Sequence, residues 1–185
     1  MSSVPFFQRA LIFFFILLTA VAQPLRFNIG GPSFEAINFA EDPQLNLLSP
    51  NTAIISLPPS TVPLNSSWQP IYDTYRYALG GNIGYRIPVA PGMYSVAVGF
   101  AETYPPNFQA GKRQFDLLIN GVPRFNRLDV FATVGANSPM YLRTDNIPDR
   151  NGTITIVVRR ISSRENPMLS ALVILPTPTS PLGSA

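Results

Sequence analysis

Met93-Tyr-Ser-Val-Ala-Val-Gly-Phe-Ala101 follows a Pro91-Gly92 turn and alternates well enough to read as a half-buried β-strand. Working back from it, Gly84-Tyr-Arg-Ile-Pro88 is a strand that ends at proline. Leu25-Arg-Phe-Asn-Ile29 is a first strand, stopped by Gly30-Gly31-Pro32. Residues 51–70 are proline-rich and read as irregular surface with one short strand around 53–57. Working forward, Gln114-Phe-Asp-Leu-Leu-Ile119 and Val122-Pro-Arg-Phe125 flank Asn120-Gly121, a dipeptide that supplies the positive φ angles of a tight hairpin. A second hairpin is expected between residues 140–147 and Thr153-Ile-Thr-Ile-Val-Val-Arg159, turning near Asp149-Arg150-Asn151-Gly152. Ala171-Leu-Val-Ile-Leu175 is the last strand. With no long amphipathic helix and no internal repeat, the pattern predicts an all-β chain folded as an antiparallel β-sandwich.

The chain has 185 residues, room for one compact domain. Its front reads as a signal peptide over residues 1–22. Arg9 closes a short basic region, Ala10 to Leu18 is an uninterrupted apolar run, and Ala20-Val21-Ala22 is a small-x-small cleavage site, so processing is expected before Gln23. A membrane anchor is the rival reading, but the run is well short of the roughly 20 residues a spanning helix needs. The domain is expected over 23–175, followed by a disordered polar tail over 176–185, rich in Pro, Thr and Ser, with no ER-retention ending. These features predict a soluble mature chain without a transmembrane helix, secreted to the extracellular side, the ER lumen being the alternative.

There is no cysteine, so the stability of a secreted domain must come from packing and hydrogen bonding alone. Asn65-Ser66-Ser67 and Asn151-Gly152-Thr153 are acceptor triplets for N-glycosylation, at Asn65 and Asn151. The formal charge is +3, and the arginines that carry most of it are scattered along the chain instead of forming a nucleic-acid footprint.

Without histidine or cysteine, the usual zinc constellations and the Ser-His-Asp and Cys-His nucleophile pairs are excluded. Gly30-Gly31-Pro32 lacks the spacing of a phosphate-cradling loop and has no helix after it, so it reads as a strand terminator. No cofactor and no metal site is expected. A pair of carboxylates remains as a catalytic possibility, because glycosidases flank the scissile bond with two Asp or Glu residues. Glu102, Asp116, Asp129 and Glu165 are the candidates, each with an alternative as a loop or turn acceptor. The tyrosines carry more information. Tyr72, Tyr75, Tyr77 and Tyr85 crowd one segment around Gly80-Gly81, and Tyr104 ends a strand before Pro105-Pro106. A pyranose packs its C–H face on an aromatic ring while its hydroxyls seek phenol, carboxylate and amide partners. Tyr77 and Tyr104, next to turn residues, suit that role, whereas Tyr85 and Tyr94, inside strands, suit the core.

Several strings, taken in order and spacing, resemble the malectin domain. They include Phe27-Asn-Ile-Gly-Gly-Pro32, Tyr72-Asp-Thr-Tyr-Arg-Tyr77 and Gly84-Tyr-Arg-Ile-Pro88. Gly92 to Tyr104, Gly111-Lys-Arg-Gln-Phe-Asp-Leu-Leu-Ile-Asn-Gly121, Leu128-Asp-Val-Phe131 and Asn166-Pro167 continue the match from about Leu25 to Leu175. The resemblance implies a sandwich of the jelly-roll, galactose-binding-like type. It also implies a non-catalytic, lectin-like role in which loop aromatics and an acidic residue hold a glucan-type oligosaccharide or a cell-wall polysaccharide. By position, the family's sugar-contacting tyrosines fall on Tyr77 and Tyr104 and its acidic contact on Glu165, one methylene longer than the aspartate of the animal lectins. The aromatic after the second tyrosine is here Pro105, and the family's earlier Tyr-Gly contact has no counterpart between Leu47 and Leu57. Those losses keep open a second reading, a protein- or peptide-interaction module of the malectin-like receptor type, whose partner is another secreted or cell-surface protein.

Overall fold

The computed structural model describes residues 22–58 and 69–177. Most of the signal-peptide reading, Asn65, and the tail beyond Thr177 lie outside the described residues. The strands are β1 (Leu25–Asn28), β2 (Thr52–Ser56), β3 (Thr74–Ala78), β4 (Ile83–Pro88), β5 (Met93–Ala101), β6 (Phe115–Ile119) and β7 (Val122–Leu128). A short helix α1 (Val130–Val134) precedes β8 (Pro139–Pro148), β9 (Thr153–Arg160), β10 (Met168–Leu169) and β11 (Ala171–Pro176). Pairing between neighbouring strands is antiparallel throughout. One sheet runs β1-β11-β5-β8; a second runs β4-β9-β6-β7; a three-stranded sheet runs β10-β3-β2. The chain is thus an all-β sandwich.

The core follows from side-chain alternation. Phe115, Leu117 and Ile119 of β6 and Ile154, Ile156 and Val158 of β9 turn inward at every second position. They meet Tyr94, Val96, Val98 and Phe100 of β5 in one hydrophobic cluster. The half-buried reading of β5 needs correcting, because every residue from Tyr94 to Ala101 is buried. The small residues on its other face accommodate a second apolar cluster in which Ala97 and Ala101 meet Phe39, Ile71 and Tyr72. A Cβ on Gly99 would stand 2.8 Å from the Tyr72 hydroxyl, so glycine is what lets that layer close.

The hairpin at Asn120-Gly121 is present, with φ of 51° and 76° and Ile119 opposite Val122. The expected hairpin between residues 140–147 and 153–159 is not. β8 pairs with β5, and β9 pairs with β4 and β6, so the two strands lie in different sheets. The reason lies in a matching bend next door: β4 and β5 also belong to different sheets. Asp149 N–H donates to the Gly92 carbonyl (3.0 Å), and Val89 N–H donates to that of Gly152 (2.9 Å). The two corners are therefore zipped to each other, and an antiparallel ribbon folds over as one piece from one sheet to the other. Sequence adjacency favours a hairpin, but burying both apolar faces requires the crossing. β3 and β10 are strands the sequence reading did not contain. At the C-terminus, pairing continues to Pro176, and Thr177 N–H donates to the Met93 carbonyl (2.8 Å), two residues into the segment read as tail.

Behind β3 lies a buried polar network. Asp42 accepts from Arg76 Nε (2.9 Å), from the Tyr85 hydroxyl (2.8 Å) and from Gly30 N–H (2.9 Å). Arg76 Nη1 also donates to Thr52 Oγ1 (2.9 Å). Gly30-Gly31 therefore does more than end a strand. Gly30 has φ +81°, and a Cβ there would fall 2.7 Å from the Tyr75 carbonyl carbon, so the backbones meet at a separation only glycine permits.

Candidate functional site

Residues two apart on a strand share a face, so Tyr75 and Tyr77 of β3 point the same way, while Arg76 between them points back to Asp42. Ile55 of β2 is directly opposite Tyr75 in the register and stands on that same face. These three side chains form the floor of a cavity of about 240 Å³. Tyr75 is buried, which pushes its hydroxyl above the usual phenol range, while Tyr77 is half-buried. Their ring centroids are 6.3 Å apart with planes at 58°.

Two loops supply the walls. Tyr104 lies three residues beyond the end of β5, not at the strand's end as expected, and caps the 3₁₀ turn Pro105–Asn107, whose first positions suit the paired prolines; it is 48% exposed. Glu165 and Asn166 come from the segment before β10, which the pairing of Met168 with Tyr77 brings alongside the floor. Glu165 is exposed and lines the cavity. The Asn166 amide oxygen accepts from Gly80 N–H (3.1 Å) and Arg160 Nε (3.2 Å), which leaves its Nδ2 as a donor.

Arg113 closes the cavity from beneath. Its Nε donates to Glu102 Oε2 (2.7 Å) with both side chains buried, and its Nη1 donates to the Asn166 carbonyl. Glu102 Oε1 accepts from Tyr104 N–H (3.2 Å). The arrangement offers aromatic faces at the floor and rim, an acidic acceptor at one edge, an amide held through its oxygen, and a guanidinium held by a buried carboxylate.

The structure brings Tyr77, Tyr104 and Glu165, which are distant in sequence, to one cavity. Three of the four candidate carboxylates are engaged by donors of this chain. Glu102 is committed to Arg113 and Tyr104. Asp116 accepts from Arg127 N–H (2.8 Å) and Arg159 Nη2 (2.8 Å). Burial opposes its ionisation, but these donors outweigh that and hold it below the usual carboxylate range. Asp129 caps α1 by accepting from Ala132 N–H (2.9 Å) and also accepts from Gly111 N–H (2.5 Å). Tyr72, Tyr85 and Tyr94 are buried away from the cavity, with the Tyr72 hydroxyl pushed up to about 12 by burial. Asn151 is exposed with φ 57°. Sequence reasoning missed Ile55, Arg113 and Asn166 and left Tyr75 out of the site. The only signal for the last three was their place inside the strings that carry the resemblance.

A family model described as the malectin domain matches residues 24–172. A relative by sequence is the kinesin-like protein KIN-14E of Oryza sativa subsp. japonica, 32% identical over 114 residues, or 56% of this chain and 10% of that protein. The chain thus spans a tenth of that relative's length. Among solved structures, plant peptide RALF23 in complex with FER and LLG2 gives a TM-score of 0.73 at 16% identity, covering 84% of this chain and 49% of the matched one. A Bacteroides uniformis beta-glucuronidase gives 0.65 at 17% identity, covering 84% of this chain and 18% of that enzyme. At these identities the structural likenesses establish the fold alone.

Proposed function

The chain belongs to the malectin domain family, and on that premise we propose that its cleft binds carbohydrate and catalyses no reaction. The observation that carries this reading is the convergence of Tyr77, Tyr104 and Glu165, from three separate segments, on one cavity floored by Tyr75 and Ile55. A sugar ring lays its C–H face on Tyr77 or Tyr104 and directs hydroxyls to Glu165 and Asn166. The cavity is smaller than the ~300 Å³ at which typical ligand pockets begin, so it accepts a short stretch of a glucan or wall polysaccharide and leaves the rest over the rim. Three of the four candidate carboxylates are engaged in holding a loop, a helix start and neighbouring strands, which supports a binding module. Screening on an array of glucans and wall oligosaccharides, followed by calorimetric titration of the hits, tests the reading. An array that retains no glycan above background contradicts it.

A second reading, a protein- or peptide-binding module, is favoured by the fold likeness to FER, solved with the peptide RALF23 and with LLG2. Pro105, standing where the animal lectins carry an aromatic, also shortens the stacking platform. Recovery of one stoichiometric protein from secretory medium, by a chain that retains no glycan, selects this reading over the first. Both place the protein on the secretory route, where Gln23 is the mature N-terminus and Asn151 carries a glycan. Among the described residues no helix is long and apolar enough to cross a membrane. N-terminal sequencing starting at Met1, or an Asn151→Gln variant of unchanged gel mobility from a glycosylating host, contradicts this placement.

A further inference from the structure

We infer that Arg113 is the positioning residue of the cleft: its guanidinium, held between Glu102 and the Asn166 carbonyl, fixes the Tyr104 loop and the Glu165 loop relative to each other. The inference rests on the binding reading for its purpose and on the geometry alone for its content.

The two loops that present Tyr104 and Glu165 are far apart in sequence, and neither is part of a strand at those residues. The segment 111–113 joins them. Along one side it is tied residue by residue to the Glu165 loop. Arg164 Nη1 donates to the Gly111 carbonyl (2.8 Å), Glu165 N–H donates to that of Lys112 (3.1 Å), and Arg113 Nη1 donates to that of Asn166. On the other side Lys112 N–H donates to the Gln109 carbonyl (3.3 Å) within the same connection, and the side-chain tie to Tyr104 itself runs through one carboxylate. Arg113 Nε donates to Glu102 Oε2 (2.7 Å), and Glu102 Oε1 accepts from Tyr104 N–H (3.2 Å). A planar guanidinium spreads its donors over three nitrogens in a fixed fork and so reaches both sides at once, whereas an ammonium donates from a single nitrogen.

Energetics favour this role over that of a ligand-binding cation. The side chains of Arg113 and Glu102 are 7% and 1% exposed, so each charge is balanced locally and little net charge reaches the cavity from the pair. Replacing such a pair by apolar residues is often neutral for stability, whereas removing one partner strands a buried charge. Its contribution here is geometric: it sets the distance and angle between the aromatic wall and the acidic wall before a ligand arrives, which lowers the ordering cost of binding.

Amide hydrogen exchange reads this directly, since Tyr104 N–H and Glu165 N–H are the loops' own reporters. Arg113→Lys retains a cation for Glu102 and loses the bond to Asn166. Protection at Glu165 is expected to fall about tenfold, with Tyr104 and the β5 and β6 amides unchanged. The double variant Arg113→Gln/Glu102→Gln removes both charges without stranding either, and protection at both loop amides is expected to fall about tenfold while the strands stay protected. In parallel, cellotetraose, laminaritetraose and maltotetraose are titrated against parent and variants. Whichever the parent binds is expected to bind the double variant about tenfold more weakly at similar melting temperature, with Arg113→Lys between the two. Parental protection at both loop amides in the folded double variant overturns the inference, as does parental affinity. If no tetrasaccharide binds the parent, the glucan form of the carbohydrate reading falls, and the exchange data still decide whether Arg113 holds the loops.

Discussion

Tyr75 and Tyr77 stand on one face of β3 with ring centroids 6.3 Å apart, yet Tyr75 is sealed into the core while Tyr77 remains half open to the cavity. Neighbouring tyrosines on the same strand thus carry different duties, and truncating each should separate them. Tyr75→Ala opens a void in the floor and is expected to cost about 3–5 kcal/mol of folding stability, the range for aromatic truncation in a core. Tyr77→Ala should cost less stability and weaken sugar binding by about tenfold. Denaturant melts and titrations of both variants check this. Equal losses of stability would mean that Tyr77 is core as well.

How far the sequence carries depends on the range of the interaction. β5 and the Asn120-Gly121 hairpin are legible because their determinants, side-chain alternation and a positive-φ dipeptide, lie within the segments themselves. The crossing of β8 and β9 is not, because it depends on the corner at Gly92 and Val89, some 60 residues earlier in the chain. β3 is hidden for a related reason: Thr74-Tyr-Arg-Tyr-Ala78 reads as polar and aromatic until Asp42 is seen to bury its arginine from behind. In the site, Tyr77, Tyr104 and Glu165 came from family spacing and loop-end chemistry. Arg113 and Asn166 act through the Glu102 carboxylate and a backbone carbonyl brought near only by folding, and nothing local marks them beyond their place in the strings that carry the resemblance.

The Asp42 network makes a separable prediction about stability. In Tyr85→Phe the ring still fills its place, but Asp42 loses a donor (2.8 Å) and Arg76 Nε loses an acceptor (3.1 Å) in a buried setting. The expected cost is about 1–3 kcal/mol, seen as a melting temperature lower by several degrees, with sugar affinity close to the parent's. An unchanged melting temperature would show that the hydroxyl contributes nothing net.

Asp116 gives the fold a dependence on acidity whose sign is fixed. The Arg127 N–H and the Arg159 guanidinium hold its carboxyl below the unfolded value of about 3.9, so the native state binds the proton less readily than the unfolded chain. Its contribution is present above that value and is lost as pH falls through the lower native pKa. Denaturant melts between about pH 5 and pH 2 should show stability falling, and Asp116→Asn should show a shallower fall. Identical slopes would contradict the assignment.

The central claim is that Tyr104 forms a wall of a carbohydrate cleft, and calorimetric titration of Tyr104 variants tests it most directly. Exchanging water for protein hydrogen bonds yields only about 0.5–1.5 kcal/mol each, so the stacked ring should count at least as much as any one hydroxyl contact. Tyr104 is 48% exposed and its truncation leaves the core intact, so the variant should stay folded. With the best-binding tetrasaccharide, Tyr104→Ala is expected to bind about tenfold more weakly than the parent, and Tyr104→Phe, which keeps the ring face, to lose less. A folded Tyr104→Ala that binds the same sugar as tightly as the parent would contradict the account.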